Sequence, residues 1–171
     1  VEAIGLGIPC LIDQQRGVAV MAVNLPIENV PIRDLMSERI GLPVVIDNDA
    51  NVAALAEQRF GAAKGLDDVV LLTLGTGVGG GLVLGGKPFR GSTGAGAELG
   101  HIVIDENGPP CQGHCPNNGC LETFVGQEAI AERAGIAVGA GRRARNLTQE
   151  LVHRAENDDR AVLHSLSEAG R

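Results

Sequence analysis

Leu42-Pro43-Val44-Val45-Ile46-Asp47-Asn48-Asp49-Ala50-Asn51-Val52-Ala53-Ala54-Leu55-Ala56 changes its pattern in the middle. Leu42 to Ile46 is a short apolar run of strand type. Beyond it Val52, Leu55, Ala56 and Phe60 recur at helical spacing and predict the inner face of a helix that Gly61 closes. A strand therefore feeds directly into a helix. At such a junction a side chain leaves the end of a sheet while the first helical amides face outward, which favours an acidic group. Asp49, flanked by Asn48 and Asn51, can take a proton from a substrate hydroxyl while Asn48 orients a neighbouring one. The plainer role, capping the helix, is open to Asp47 or Asp49.

Upstream, Ala3 to Ile8 reads as a buried strand with no cap, linker or start methionine before it, so the chain is expected to begin inside a domain. Val18 to Val23 predicts a second strand leading into Asn24-Leu25-Pro26. Ile32, Leu35, Met36 and Ile40 then predict a helix from Pro31 to Ile40, with Gly41 just past its end. Cys10 stands alone and reads as a small buried residue.

Downstream, Val69 to Leu74 predicts a continuous buried strand and Gly79 to Leu84 its hairpin partner. Between and within them, Leu74-Gly75-Thr76-Gly77-Val78-Gly79-Gly80-Gly81 packs five glycines into eight residues. Glycine permits positive φ and lacks Cβ, so several backbone N–H groups can converge on a phosphate there. A tight hairpin alone needs fewer. No Gly-Lys-Ser/Thr follows, and the next element is a strand, so neither a Walker loop nor a dinucleotide fingerprint is present.

Residues 91–126 are rich in Gly, Pro, Asn and Cys and carry only one strand-like piece, His101 to Ile104, so something besides a core must hold them. Cys111, Cys115 and Cys120 supply three thiolates, and tetrahedral zinc needs a fourth ligand. His101 and His114 are available. His101 is preferred, because His114 adjoins Cys115 and joint ligation would strain the turn. Such a site is closed to water and therefore structural; reduced, metal-free cysteines are the alternative. Glu98 and Glu122 bracket the loop and, with Asn48 and Asp49, make a candidate polyol pocket. From Gln127 the pattern is helical: Glu128 to Ala134, Thr148 to Ala155 with Asn146 and Gln149 spaced like a capping box, then Arg160 to Ala169.

The 171 residues carry 21 acidic against 14 basic side chains, a formal charge of −7, without a basic run, and only three aromatic rings. Nucleic acid is therefore not the expected partner of this segment, since both the electrostatic footprint and the stacking platform are missing. Apolar runs fall far short of the roughly 20 residues a membrane helix requires. A cytoplasmic protein without membrane association is expected.

Four segments in this order resemble the ROK (repressor, open reading frame, kinase) sugar kinases: Ile46 to Glu57, Leu74 to Gly81, Gly96-Ala97-Glu98-Leu99-Gly100-His101, and Gly119-Cys120-Leu121-Glu122. The resemblance covers nearly the whole chain. It implies an actin-like, RNase H-type kinase fold, two α/β domains around a cleft, represented in part: residues 1–52 ending the N-terminal domain and 53–171 beginning the C-terminal one with its zinc-stapled loop. It implies phosphorylation of a hexose by ATP with Mg2+, as in the glucokinase-type members. Glucose is the leading substrate; N-acetylmannosamine, N-acetylglucosamine and fructose are alternatives, and a sugar-responsive repressor is the alternative of another class. Asp49 would be the base; Gly75, Thr76, Gly77 and Gly79 would hold phosphates; Asn48, Glu98, His101 and Glu122 would hold the sugar. His101, Cys111, Cys115 and Cys120 would hold the zinc. A homo-oligomer, dimer or tetramer, is expected by the same resemblance. The chain departs from the family in its Cys-x3-Cys spacing, where Cys-x-Cys is commoner, and in Cys10 where glycine is usual. An Asp-x-Gly-Gly-Thr phosphate loop and a late adenosine-binding glycine segment are not in it, so the 171 residues are expected to be a fragment without kinase activity of its own.

Overall fold

A computed structural model of the chain describes residues 1–22, 25–112, 115–138 and 144–170, with residues 144–146 described in their backbone alone. Val23, Asn24 and His114, named above, lie outside the described residues. The chain divides into two compact units, Val1–Leu72 with Gly80–Glu98, and Thr73–Gly79 with Leu99–Arg171.

In the first unit β1 (Ile4–Ile8) pairs in parallel with β5 (Val44–Asn48), Ile4 opposite Val44 and Ile8 opposite Asn48. Parallel strands need a long connection. Here it holds an antiparallel sheet of β2 (Leu11–Asp13), β3 (Val18–Met21) and β4 (Glu28–Val30), followed by α1 (Ile32–Ile40). Cys10, Ile12, Ala19, Val44 and Ile46 form the core, with Leu6, Ile32 and Met36 among the side chains packed on it. Gly41 ends α1 as expected, at φ 73° with its N–H on the Ser37 carbonyl. The core holds β5 through Val44 and Ile46, with Val45 exposed between them, and Asn48 and Asp49 follow at the C-terminal end of the strand.

The helix that follows, α2 (Asp49–Phe60), buries a different face from the one its large apolar residues predict. Ala50, Asn51 and Ala54 are inside, whereas Phe60 is 86% exposed. The cause is a close approach: a Cβ on Gly81 would stand 2.5 Å from the Ala50 carbonyl oxygen and 2.6 Å from Ala54 Cβ. Only small residues tolerate a neighbour at that range. Gly61 ends α2 without the left-handed conformation that the sequence suggests, at φ −105°. The expected boundary between residues 52 and 53 falls inside this helix.

A three-stranded sheet runs in the order β6 (Val69–Leu74), β7 (Val78–Leu84), β8 (Lys87–Pro88). β6 corrects the expectation of a buried strand: Val70, Leu72 and Leu74 are 67%, 47% and 69% exposed. A continuous apolar run marks a strand meant to be covered on both faces, and among the described residues nothing covers those three.

The second unit contains a 3-10 turn at Leu99–His101 and the helices α3 (Glu122–Val125), α4 (Gln127–Arg133), α5 (Ala144–Glu156) and α6 (Arg160–Ala169). Ala131, Ile136, Leu147, Leu151 and Val162 are its core. α6 has the predicted limits because Asp159 caps it, Oδ1 accepting from Ala161 and Val162 N–H at 3.0 and 3.3 Å. α5 starts at Ala144, so Asn146 lies inside the helix and not ahead of it. His101 belongs to the 3-10 turn and not to a strand; only Val103 makes a bridge, to Cys120. No helix among the described residues is long and apolar enough to cross a membrane.

Candidate functional site

The first group of predicted residues sits where β5 becomes α2. Asn48 is the helix cap, its Oδ1 accepting from the Ala50 and Asn51 amides at 2.9 and 3.2 Å and its Nδ2 donating to the Cys10 carbonyl at 3.3 Å. Neither Asp47 nor Asp49 is needed for that task. Asp49 is exposed; its Oδ1 accepts from Ala50 N–H at 2.9 Å. Its Oδ2 has no partner among the described residues. That oxygen is a free acceptor at the positive end of a helix, the place where an ionised carboxylate is favoured.

Asp47 is 9% exposed and is occupied on both oxygens. Oδ1 accepts from Asn48 N–H at 2.9 Å, and Oδ2 accepts from Arg90 Nε at 2.9 Å and Nη2 at 2.5 Å. Nothing in the sequence marks Arg90: it is 43 positions away and is a single basic residue beside a glycine. From Arg90 the chain turns through Gly91, at φ 68°, and folds back so that Gly96 N–H donates to the Arg90 carbonyl at 2.8 Å. Glu98 lies two residues on, exposed, with Ala97 buried before it.

The second group lies in the other unit. At the glycine turn, Gly75 N–H donates to the Gly77 carbonyl at 2.9 Å, while Thr76 and Gly77 N–H have no partner among the described residues. Positive φ, one of the two reasons given for these glycines, is not used, since none of residues 75–81 has it. Missing Cβ atoms are what count: a Cβ on Gly77 would fall 2.2 Å from Glu122 Oε2. That carboxylate accepts from Val78 N–H at 2.7 Å, so Glu122 braces the turn directly. Gly79 continues it into β7.

His101, Cys111, Cys115 and Cys120 converge, with one ligand atom from each and all four within 4.8 Å of one another. Zinc bonds of about 2.3 Å to sulfur and about 2.0 Å to nitrogen imply tetrahedral edges of about 3.8 Å between sulfurs and about 3.5 Å between sulfur and nitrogen. Cys115 and Cys120 sulfurs are 3.8 Å apart, and Cys111 Sγ is 3.3 Å from His101 Nδ1. The residues fit a tetrahedral cation, and the Cys-x3-Cys spacing does not exclude Cys111. Burial pushes the Cys111 thiol up to about 12, helped by hydrogen bonds with Cys120 and Cys115. Burial also raises Cys120, whereas the Asn117 backbone N–H lowers Cys115. Gly119 closes the knuckle at φ 62°, in a place where a Cβ would lie 1.6 Å from the Asp105 carbonyl oxygen.

Thus Asn48, Asp49 and Glu98 belong to the first unit, and Gly75, Thr76, Gly77, Gly79, His101, Glu122 and the three clustered cysteines to the second. Comparison with known proteins gives this arrangement a context. A model of the ROK family matches residues 1–171. A glucokinase of Thermotoga maritima is 39% identical over 168 residues, 98% of this chain and 52% of the relative. The crystal structure of a ROK family glucokinase from Streptomyces griseus, in complex with glucose and AMPPNP, superposes with a TM-score of 0.80 at 35% identity, over 99% of this chain and 58% of that one. A ROK family transcriptional regulator, a homolog of the E. coli MLC protein, gives a TM-score of 0.81 at 31% identity, over all of this chain and 44% of its own. The chain therefore spans about half the length of such relatives, and its fold is theirs, the actin-like α/β fold in part.

Proposed function

The chain belongs to the ROK family, and from that premise we propose that the full-length protein is a hexose kinase that transfers the γ-phosphoryl group of ATP to glucose. The observation that carries the reading is Asp49: an exposed carboxylate at a helix N-terminus, one oxygen tied down and the other free. In the proposed reaction that oxygen takes the proton of the sugar hydroxyl as the hydroxyl oxygen bonds to the γ-phosphorus and the bond to the β-phosphate oxygen breaks. Phosphoryl transfer asks little more of a protein than positioning and charge neutralisation. The open amides at Thr76 and Gly77 suit the second requirement, with Mg2+ supplying the remaining positive charge on the phosphates. Asn48, Glu98, His101 and Glu122 are assigned to the sugar. Of these, Asn48 and Glu122 also hold backbone, since Asn48 Oδ1 and Glu122 Oε2 already accept amides.

Zinc is assigned to His101, Cys111, Cys115 and Cys120 as a structural ion. With His101 Nδ1 facing Cys111, Nε2 is left for a sugar hydroxyl. Residues 1–52 are assigned to the end of an N-terminal domain and 53–171 to the start of a C-terminal one, in a cytoplasmic homo-oligomer. A sugar-responsive repressor is the second reading, favoured by the likeness to the transcriptional regulator. The upstream reading frame separates the two. About 60–80 residues with a basic recognition helix mark a repressor, whereas an Asp-x-Gly-Gly-Thr segment marks a kinase.

The test is ADP release by the full-length protein across a panel of hexoses and their N-acetyl derivatives. Glucose is expected to give the highest kcat/KM. Preference for N-acetylmannosamine, N-acetylglucosamine or fructose would replace the substrate, and no sugar-dependent ADP release would remove the kinase reading.

A further inference from the structure

Arg90 holds two parts of the first unit that both carry proposed sugar-binding groups. Its guanidinium reaches the end of β5, where Nε and Nη2 both donate to Asp47 Oδ2 while Asp47 Oδ1 accepts the Asn48 amide. Its carbonyl accepts Gly96 N–H at 2.8 Å, closing the loop that delivers Glu98. The closure is tight: a Cβ on Gly96 would stand 2.6 Å from Gly91 N and 2.8 Å from the Arg90 carbonyl carbon. Asp47 faces a buried setting, with Ile46 2% exposed before it, and the Arg90 side chain is only 32% exposed. Charge-assisted hydrogen bonds of this kind, partly withdrawn from water, fix geometry firmly. Lysine has a single donor head and cannot reproduce a two-pronged grip.

We infer that Arg90 is a positioning residue for sugar recognition, setting through Asp47 the backbone of the Asn48–Asp49 junction and through its own carbonyl the loop that carries Glu98. The inference rests on the kinase reading and deepens it, because Arg90 itself need not touch substrate. Misplacement by about 1 Å at a reacting centre costs roughly a hundredfold, so freeing the Asp47 end of this strap is expected to be visible in turnover.

The test compares wild type, Arg90→Ala, Arg90→Lys and Asp47→Asn in the full-length protein, measuring kcat, KM for glucose, KM for ATP and thermal stability. Each variant is expected to lose about 10- to 100-fold in kcat/KM for the sugar, with KM for ATP unchanged. Arg90→Lys, which keeps the charge, is expected to remain folded and still show the loss. Added guanidinium ion is expected to restore part of the sugar kcat/KM of Arg90→Ala and none of that of Asp47→Asn. Variants with wild-type sugar kinetics overturn the inference, as does a rise in KM for ATP equal to that for the sugar together with a lowered Tm, which marks a general structural role. A wild-type protein that phosphorylates no hexose defeats the kinase reading and this inference with it; an active wild type matched by its Arg90 variants defeats the inference alone.

Discussion

The strand–helix junction at Asp49 and the loop from Ile102 to Leu121 both present proposed functional groups, yet they are held by opposite means. The junction rests on a core, with Val44 5% and Ile46 2% exposed, a capped helix, and a buried carboxylate gripped by Arg90. The loop has almost no core. Ile102, Val103 and Ile104 are 52%, 45% and 55% exposed, and the loop is tied by a few backbone bonds, such as Leu121 N–H to the Ile102 carbonyl, while His101, Cys111, Cys115 and Cys120 converge with one ligand atom each. One region is organised by burial; in the other the proposed zinc would be the cross-link. The chemistry of the solution should therefore separate them.

The largest expected effect is on the loop. Structural zinc contributes about 10–16 kcal/mol of apparent binding energy in small zinc peptides, so Cys120→Ser in the full-length protein should lower bound zinc from one ion per chain to none. Amide exchange should quicken across 102–121 while 44–60 keeps its protection. Equal loss of protection in both segments would break the contrast. A smaller effect is expected from crowding the junction. Gly81→Ala places a methyl 2.5 Å from the Ala50 carbonyl oxygen, and overpacking of that kind costs about 1–3 kcal/mol. Chemical denaturation should show the loss with zinc content unchanged. Smaller still, Asn48→Ala removes the α2 cap and should lower stability by about 1 kcal/mol, again without loss of zinc. A zinc loss in either junction variant would show that the two regions are not independently held.

What could be read from the sequence follows the same division. Local signals are enough for α1 and α6, because each is bounded by a residue acting on its nearest neighbours, as Gly41 and Asp159 do; β1 is a strand as expected, but its residues are half-buried or exposed and not buried. The convergence of His101, Cys111, Cys115 and Cys120 is legible for the same reason, three of the four falling within ten residues. Contacts between distant segments are not. The buried face of α2 is decided by Gly81, far along the chain, which selects Ala50 and Ala54 over Val52 and Phe60. The bracing of Val78 by Glu122 and the grip of Arg90 on Asp47 join residues 44 and 43 positions apart, and neither pair has a spacing that announces it. The glycine turn is signalled for a partly mistaken reason: none of its glycines takes positive φ, and Gly77 and Gly81 are the ones that make room. The apolar composition of β6 predicts burial, because it records what the strand is suited to and not what covers it here.

The central claim is that Asp49 takes the proton of a sugar hydroxyl during transfer from ATP. Its most direct measurement is kcat for glucose-dependent ADP release by the full-length Asn variant, Asp49→Asn, at saturating ATP and sugar, with zinc content and Tm recorded on the same sample. The expected result is a fall of about a hundred- to ten-thousandfold in kcat, with one zinc ion per chain and an unchanged Tm. An Asp49→Asn protein that turns over glucose at the wild-type rate would contradict the account.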